Sequence, residues 1–315
     1  MNRLIFWYKN SRPYTAPITF LSWFVIFLYS LNVGGNFCRG LISYFGIAII
    51  HLATNLTDDY FDYKRLSLSN FSEAKSTKCK YLRSGSASLK ELKMVIVSMF
   101  IFAGCIGLYL FFVSGYFVVY FALIALFIAI MYSKLSSTGY GDIAVIIAYG
   151  PLMFEGVYYV MTGYLSVEVL FISIPCALFV ETILFSSMIL DYDEDYNAKK
   201  RTLCVRLNSK NKSLYAFSLL YVTAYFIVLF LSFYYKNYLY FLTFILIPLI
   251  CNLFYLLNIY NKNKTALPKI KFWYYPLNNW DKIKNQTVAP YFLNFYFTRN
   301  IAVMFLILMS FIIIK

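Results

Sequence analysis

Long apolar stretches separated by polar connections run along the whole chain. Each stretch has about 17–25 residues, the length with which an α-helix crosses the hydrocarbon core of a bilayer. The pattern predicts nine membrane-spanning helices, at about residues 16–33, 41–60, 94–113, 117–133, 142–161, 168–190, 214–234, 238–257 and 291–314. The predicted fold class is therefore all-α, a polytopic membrane protein with nine helices arranged around a central cavity.

Composition supports this interpretation. Of the 315 residues, 61% are hydrophobic and 13% charged, against roughly 45–50% and about 25% in soluble domains. Such hydropathy excludes a soluble isoprenoid synthase. The six cysteines have no metal-ligand spacing and several lie inside predicted spans, so we do not expect a disulfide framework.

The net charge of +14 is distributed unevenly. Every connection that follows an even-numbered span is basic, as is the segment before span 1, whereas the opposite connections contain only Arg39 and Lys236. By the positive-inside rule, the N-terminus and the long loops lie in the cytosol. We expect an integral protein of the cell's inner (cytoplasmic) membrane, in contact with membrane lipid and without a nucleic-acid partner.

Acidic residues are concentrated at the ends of two spans. Span 2 ends in Asp58, Asp59 and Asp62, and span 6 is followed directly by a second group, Asp191, Asp193, Glu194 and Asp195. The two groups are four helices apart, which suggests two four-helix halves plus a ninth helix. One such group is usually a solvated helix end, but two at matching positions favour a site.

The spacing of these acids points to a metal and a phosphate. Residues three or four apart share a helix face, where like charges repel unless a cation lies among them. Magnesium prefers carboxylate oxygens and often a substrate phosphate as well. Lysines and arginines follow both groups, and in a membrane enzyme the apolar part of a diphosphate substrate is most sensibly an isoprenoid tail. Departure of the diphosphate would leave an allylic cation, which ring faces can stabilise; the chain is 21% aromatic.

Three segments resemble the UbiA-type intramembrane prenyltransferases, and among them the branch that prenylates 1,4-dihydroxy-2-naphthoate on the way to menaquinone. They are "NLTDDYFDYKR" at 55–65, "DYDEDYNAKKRTLCVRL" at 191–207, and "YSKLSSTGYGDIAVIIAYGPLMFEGVYYV" at 132–160. The resemblance implies one intramembrane prenyltransferase domain over residues 1–315. It also implies transfer of a polyprenyl group from polyprenyl diphosphate to an aromatic acceptor.

The resemblance also assigns roles to residues. It implies that Mg²⁺ and the diphosphate are held by the catalytic carboxylates Asp58, Asp62, Asp191 and Asp195. An alternative register of the first motif uses Asn55 and Asp59. The diphosphate would be contacted by Lys64, Arg65, Arg83, Lys200 and Arg201, and the acceptor would lie near Tyr132 and Asp142.

The chain departs from the family pattern at several positions. No further acid follows the first motif, where the chain reads "LSLSN". Ser187 replaces an asparagine of the pattern, and Lys199 occupies a common glycine position. The number of metal ions and the identity of the acceptor therefore stay open.

The polar residues within predicted spans include His51, Glu155 and Glu181. His51 is interpreted as a packed residue bonded to a neighbouring helix rather than as a general base. An acid in hydrocarbon is costly, so Glu155 and Glu181 are expected to have internal roles.

Two alternatives remain for the function as a whole. In the first, the protein transfers a polyprenyl group to a different acceptor: 4-hydroxybenzoate, a chlorophyll-type ring, a haem vinyl group or a glycerol phosphate lipid. The other is a cation-coupled transporter, which is disfavoured because the acids lie at helix ends beside basic loops rather than at the bilayer centre.

Overall fold

Every regular element in the described part of the chain is helical. The structure is a computed structural model that describes residues 3–68 and 79–314, and only the backbone of residues 65–68. In these ranges nine helices are long and apolar enough to cross a membrane: Pro13–Asn32, Phe37–Lys64, Leu89–Ser114, Phe117–Thr138, Gly141–Thr162, Val167–Leu190, Lys210–Tyr234, Tyr238–Lys262 and Ala289–Ile312. The predicted all-α fold with nine spans is confirmed.

Short helices at the polar connections complete the secondary structure. In chain order the α-helices are α1 (Arg3–Asn10), α2 (Ala16–Asn32), α3 (Phe37–Leu68), α4 (Lys80–Arg83), α5 (Leu89–Ser114), α6 (Phe117–Thr138), α7 (Gly141–Ile147), α8 (Met153–Thr162), α9 (Val167–Leu190), α10 (Tyr192–Asn197), α11 (Leu203–Arg206), α12 (Lys210–Tyr234), α13 (Ile247–Lys262), α14 (Trp280–Ile283) and α15 (Ala289–Ile312). Short 3-10 turns occur at Pro13–Thr15 and Phe272–Tyr274, and a longer 3-10 segment at Tyr238–Leu246.

The chain divides into two compact units. The first comprises residues 1–136 and 152–166, and the second comprises residues 137–151 and 167–315. The fifth span contributes α7 to the second unit and α8 to the first. The boundary between the two units thus falls within the fifth span. The prediction from the sequence is different: two halves of four whole spans each, plus a ninth span.

Close contacts between helices hold the first unit together. The indole nitrogen of Trp23 on α2 donates to the Gly40 carbonyl of α3 at 3.2 Å. A β-carbon at Gly40 would lie 2.6 Å from Met161 Sδ of α8 and 2.7 Å from the Phe27 ring of α2. Glycine at this position therefore lets α2, α3 and α8 approach one another closely.

The second unit is built around α9, which is the most buried of the nine spans. In its apolar window 72% of the residues are buried, against 17% for α5 and α6. Phe179 of α9 stacks on Phe305 of α15 with ring centroids 3.7 Å apart. Such central placement means that a polar side chain on α9 lies in protein rather than in lipid.

The fifth span is interrupted where the chain passes between the units. A π-helical turn at Ala148–Leu152 contains Pro151, which has no amide hydrogen to donate. The neighbouring Gly150 has non-helical torsion angles, φ −107° and ψ −112°. A β-carbon there would lie 2.9 Å from Ala177 Cβ, so glycine allows this turn to pack directly against α9.

Candidate active site

The first acidic motif lies on α3, which continues past it to Leu68. Asp59 is 3% exposed, whereas Asp58 and Asp62 are half-buried. Tyr81 donates its hydroxyl hydrogen to Asp59 Oδ2 at 3.1 Å, and the Cys79 thiol donates to the Asp59 carbonyl at 3.3 Å. These contacts tie Asp59 to the chain around α4.

Arg12 is a cation that contacts this motif, although its place in the sequence does not single it out. Its guanidinium donates to Asp59 Oδ1, and its Nη1 lies 3.7 Å from Asp58 Oδ2. Burial alone would lower the pKa of Arg12, but the charges of Asp59 and Asp58 outweigh it and raise that pKa. The only sequence signal was that Arg12 is the last basic residue before span 1, a position that topology alone explains.

Asn55 and His51 are occupied by contacts within the first unit. Asn55 Nδ2 donates to the Ser11 carbonyl at 2.9 Å. His51 Nε2 lies 2.7 Å from Thr15 Oγ1, and His51 Nδ1 lies 3.1 Å from Thr19 Oγ1. His51 therefore makes the contacts of a packed polar residue that joins α3 to α2, as the sequence interpretation favoured.

The remaining candidates of the first unit differ in their exposure. Lys64 is exposed, with its ammonium group 4.7 Å from the centre of the Tyr60 ring. Arg83 on α4 and Tyr132 on α6 are half-buried. The side chain of Arg65 lies outside the described residues.

The second acidic motif is formed by the junction of α9 with α10. Asp191 follows the last residue of α9, and the Asp195 amide donates to its carbonyl at 2.9 Å, which sets the two aspartates one turn apart. Tyr291 of α15 donates to Asp191 Oδ2 at 3.3 Å. Asp195 is 7% exposed and accepts a hydrogen bond from Lys200 Nζ at 2.8 Å.

Asp193 joins three segments of the second unit. Its Oδ2 accepts from Lys210 Nζ at 2.7 Å and lies 3.0 Å from Lys264 Nζ. Burial alone would raise the pKa of Asp193, but hydrogen bonds from the two ammonium groups and their charges lower it below its usual value. Asp193 therefore stays ionised at neutral pH and fixes the segment after α9 to α12 and to the chain after α13.

The three basic residues after the motif, Lys199, Lys200 and Arg201, have different surroundings. Lys199 has a left-handed backbone with φ 54°, which explains why a glycine is common at this position in the family pattern. Arg201 is exposed, and its amide donates to the Ser137 carbonyl at 3.2 Å. Lys200 is thus the one predicted cation of this segment whose side chain contacts a motif carboxylate.

Two of the remaining acids are buried in the second unit. Asp142, the second residue of α7, is 6% exposed, and Glu181 on α9 is 0% exposed. Glu155 belongs to the first unit, where its carboxylate accepts from the Ser166 amide at 3.2 Å. The structure thus gives Glu155 an internal contact.

The donor atoms suit magnesium that is completed by a substrate. Among the described residues, no group of three or more His, Cys, Asp or Glu side chains is arranged to hold a metal ion. Mg²⁺, however, is commonly bound by one or two carboxylates, waters and substrate phosphates. The half-buried Asp58 and Asp62, and the pair Asp191 and Asp195, provide carboxylates of this kind.

Comparison with known proteins identifies the family. The sequence profile of the UbiA prenyltransferase family matches residues 19–275, most of the chain. The chain belongs to the UbiA prenyltransferase family. The predicted class, an intramembrane aromatic prenyltransferase, is confirmed with it, and the transporter alternative is set aside.

This UbiA family member is similar to several curated proteins. A 1,4-dihydroxy-2-naphthoate octaprenyltransferase from Haemophilus influenzae is 25% identical over 70% of this chain and 75% of its own length. A protein of the same name from Bacillus subtilis is 25% identical over 65% of this chain and 67% of its own length. The resemblance to the naphthoate branch therefore extends well beyond the three motifs.

Solved structures share the fold of the UbiA family member. A digeranylgeranylglyceryl phosphate synthase aligns over 100% of both chains with a TM-score of 0.63 and 17% identity. A UbiA homolog from Archaeoglobus fulgidus, solved with GPP and Mg²⁺, aligns over 98% of this chain and 99% of its own with a TM-score of 0.56 and 13% identity. At these identities the alignments establish the fold alone.

Proposed function

We propose that this protein transfers a polyprenyl group from polyprenyl diphosphate to 1,4-dihydroxy-2-naphthoate, with loss of the ring carboxylate and release of diphosphate, in menaquinone biosynthesis. The observation that carries the chemistry is the pairing of carboxylates and cations in both acidic motifs. Arg12 contacts Asp58 and Asp59, and Lys200 contacts Asp195. A diphosphate bound together with magnesium requires this mixture of anionic and cationic groups.

In this proposal each predicted residue has one role. Asp58, Asp62, Asp191 and Asp195 hold Mg²⁺, which when bound supplies a Lewis acid that neutralises the leaving diphosphate. Cations of the polar connections bind the diphosphate oxygens: Lys64, Arg65, Arg83, Lys200 and Arg201. Tyr132 and Asp142 lie at the aromatic acceptor, while Asn55 and Asp59 fix the segment before α2 and the chain around α4.

The choice of acceptor rests on the relatives from Haemophilus influenzae and Bacillus subtilis, which are named for dihydroxynaphthoate. Magnesium use is supported by the Archaeoglobus fulgidus homolog, whose structure contains Mg²⁺ and a prenyl diphosphate. We further propose that residues 1–315 act as one domain in the inner membrane, with the N-terminus and the basic loops in the cytosol.

The test is an assay of purified protein in detergent with a long polyprenyl diphosphate and a panel of acceptors. Prenylated naphthoate and released diphosphate are expected, and chelation of Mg²⁺ with EDTA should abolish both until Mg²⁺ is restored in excess. Product with 4-hydroxybenzoate or a glycerol phosphate lipid alone would refute the naphthoate assignment. Transfer that persists in EDTA would refute the role of the metal.

A further inference from the structure

Glu181 is a buried acid of the second unit that the proposed function does not use. It lies within α9 with 0% exposure, and neither of its carboxyl oxygens makes a hydrogen bond of good geometry among the described residues. Its side chain lies beside that of Asp142, so the two carboxyl groups can share one hydrogen bond through a single proton. Such a bond engages only one oxygen of each group, and no other donor among the described residues reaches Glu181 Oε1, Glu181 Oε2 or Asp142 Oδ1. An unpaired polar group in a protein interior costs free energy, so this arrangement requires a physical reason.

The backbone around the two acids is held in place by close packing. Gly150 brings the turn after α7 against α9, where a β-carbon would lie 2.9 Å from Ala177 Cβ. Before α7, a β-carbon at Gly139 would lie 2.6 Å from the Arg201 carbonyl and 2.9 Å from Arg206 Nε. Close packing at both ends of α7 therefore fixes the position of Asp142 beside α9, the helix that contains Glu181.

The same packing brings the acids near the second acidic motif. The Arg201 amide donates to the Ser137 carbonyl at 3.2 Å, and the guanidinium carbon of Arg206 lies 4.9 Å from the centre of the Tyr140 ring. The chain just before Asp142 thus contacts the segment that directly follows the second acidic motif. In the proposed function, this packing sets Asp142 beside the segment that contains the predicted diphosphate-binding residues Lys200 and Arg201.

The pair has no cationic partner. No ion pair of Asp142 or Glu181 occurs among the described residues. Two adjacent buried carboxyl groups do not both ionise, because like charges repel. The pair therefore carries at most one negative charge, and its unpaired oxygens can accept hydrogen bonds from a ligand.

We propose that Asp142 and Glu181 together form the binding site for a phenolic hydroxyl group of the aromatic acceptor, an inference that rests on the proposed function. A hydroxyl is the ligand that fits: it donates the hydrogen bond that the carboxyl oxygens lack, whereas an acceptor's own carboxylate would be repelled. A hydrogen bond from the phenol to an anionic carboxyl also increases the electron density of the ring. The ring is thereby favoured as the nucleophile in prenyl transfer.

Isosteric amide variants test this site, because they should change the KM for the acceptor and not the KM for polyprenyl diphosphate. Glu181→Gln and Asp142→Asn should each raise the KM for dihydroxynaphthoate by about ten-fold or more, the effect of losing a hydrogen bond to a charged group. The KM for polyprenyl diphosphate should stay within about two-fold of the parent. The matched control is Glu168→Gln, on the same helix but about 20 Å from Glu181 at 1.5 Å per residue, which should leave both values unchanged.

A second measurement separates hydroxyl binding from a purely structural role. The parent should discriminate strongly between the acceptor and its methyl ether, which cannot donate a hydrogen bond. The amide variants should lose most of this discrimination, and a structural defect would weaken both compounds equally. If Glu181→Gln does not yield folded protein, the discrimination of Asp142→Asn between the acceptor and its methyl ether decides whether the proposed hydroxyl site is correct.

The outcomes distinguish this inference from the proposed function. If the parent transfers prenyl groups to a phenolic acceptor while both variants keep its KM and its discrimination, the hydroxyl site is refuted and the function stands. If the parent prenylates no aromatic acceptor, the proposed function fails first, and the hydroxyl site fails with it.

Discussion

Asp59 and Asp62 lie three residues apart on α3, yet their surroundings differ. Asp59 is buried and accepts hydrogen bonds from Arg12 and Tyr81, whereas Asp62 is half-buried. A carboxylate already bonded to two protein donors has few lone pairs left for a metal ion. The contacts thus favour the register in which Asp58 and Asp62 are the metal ligands of the first motif.

Substitution of Asp59 should mainly lower the stability of the protein, whereas substitution of Asp62 should mainly lower its turnover. Asp59→Ala leaves Arg12 without its buried partner, so we expect a loss of stability of about 1–3 kcal/mol, reduced from the value for a fully buried pair because Arg12 is partly exposed. Asp62→Ala should keep the melting temperature of the parent and lower turnover by about 100-fold or more. Thermal unfolding in detergent and the prenyl transfer assay measure the two quantities.

Asp191→Ala, at the other motif, is the matched comparison for Asp62→Ala and should likewise lower turnover by about 100-fold or more in folded protein. Replacing Arg12 and Asp59 together should restore part of the stability lost in Asp59→Ala, because the unpaired charge is then removed. Turnover within a few-fold of the parent for Asp62→Ala or Asp191→Ala would refute their roles as metal ligands.

The helices themselves could be predicted from the sequence, but their interruptions and contacts could not. Hydropathy located all nine spans, since each needs its own run of apolar residues. The break at Gly150 was not foreseen, because a Gly-Pro pair is tolerated in many membrane helices. The contacts of Arg12 with Asp59 and of Asp142 with Glu181 join residues about 40 positions or more apart, and only packing decides which of them meet.

The break in the fifth span gives a prediction about helix packing. Gly150→Ala places a methyl group 2.9 Å from Ala177 Cβ, so the turn and α9 must separate, at a cost of about 1–3 kcal/mol. We expect a lower melting temperature and weaker acceptor binding, since Asp142 shifts relative to Glu181. Unfolding curves and the KM for the acceptor measure the two effects.

Gly104 on α5 provides the control for this prediction. A β-carbon there meets nothing within 4 Å, so Gly104→Ala should be neutral or slightly stabilising. Equal loss of stability in the two variants would show that replacing any membrane glycine is harmful. It would then contradict the specific role of the close approach at Gly150.

The uneven distribution of charge predicts the orientation of the whole protein in the membrane. Basic residues are concentrated before span 1 and after each even-numbered span, which predicts a cytosolic N-terminus. Cys38 is exposed and is the second residue of α3, at the end of span 2 that adjoins the short connection to span 1. It should therefore face away from the cytosol.

Cysteine labelling in intact cells measures this orientation. In a variant that retains Cys38 alone, a membrane-impermeant maleimide should react without permeabilisation. A variant with Ser84→Cys alone, on the exposed connection after α4, should react only once the membrane is opened. The reverse pattern would place the basic loops outside the cell. Both acidic motifs adjoin basic loops, so the motifs would then lie outside the cell as well, and the predicted orientation would be refuted together with the cytosolic location of the proposed site.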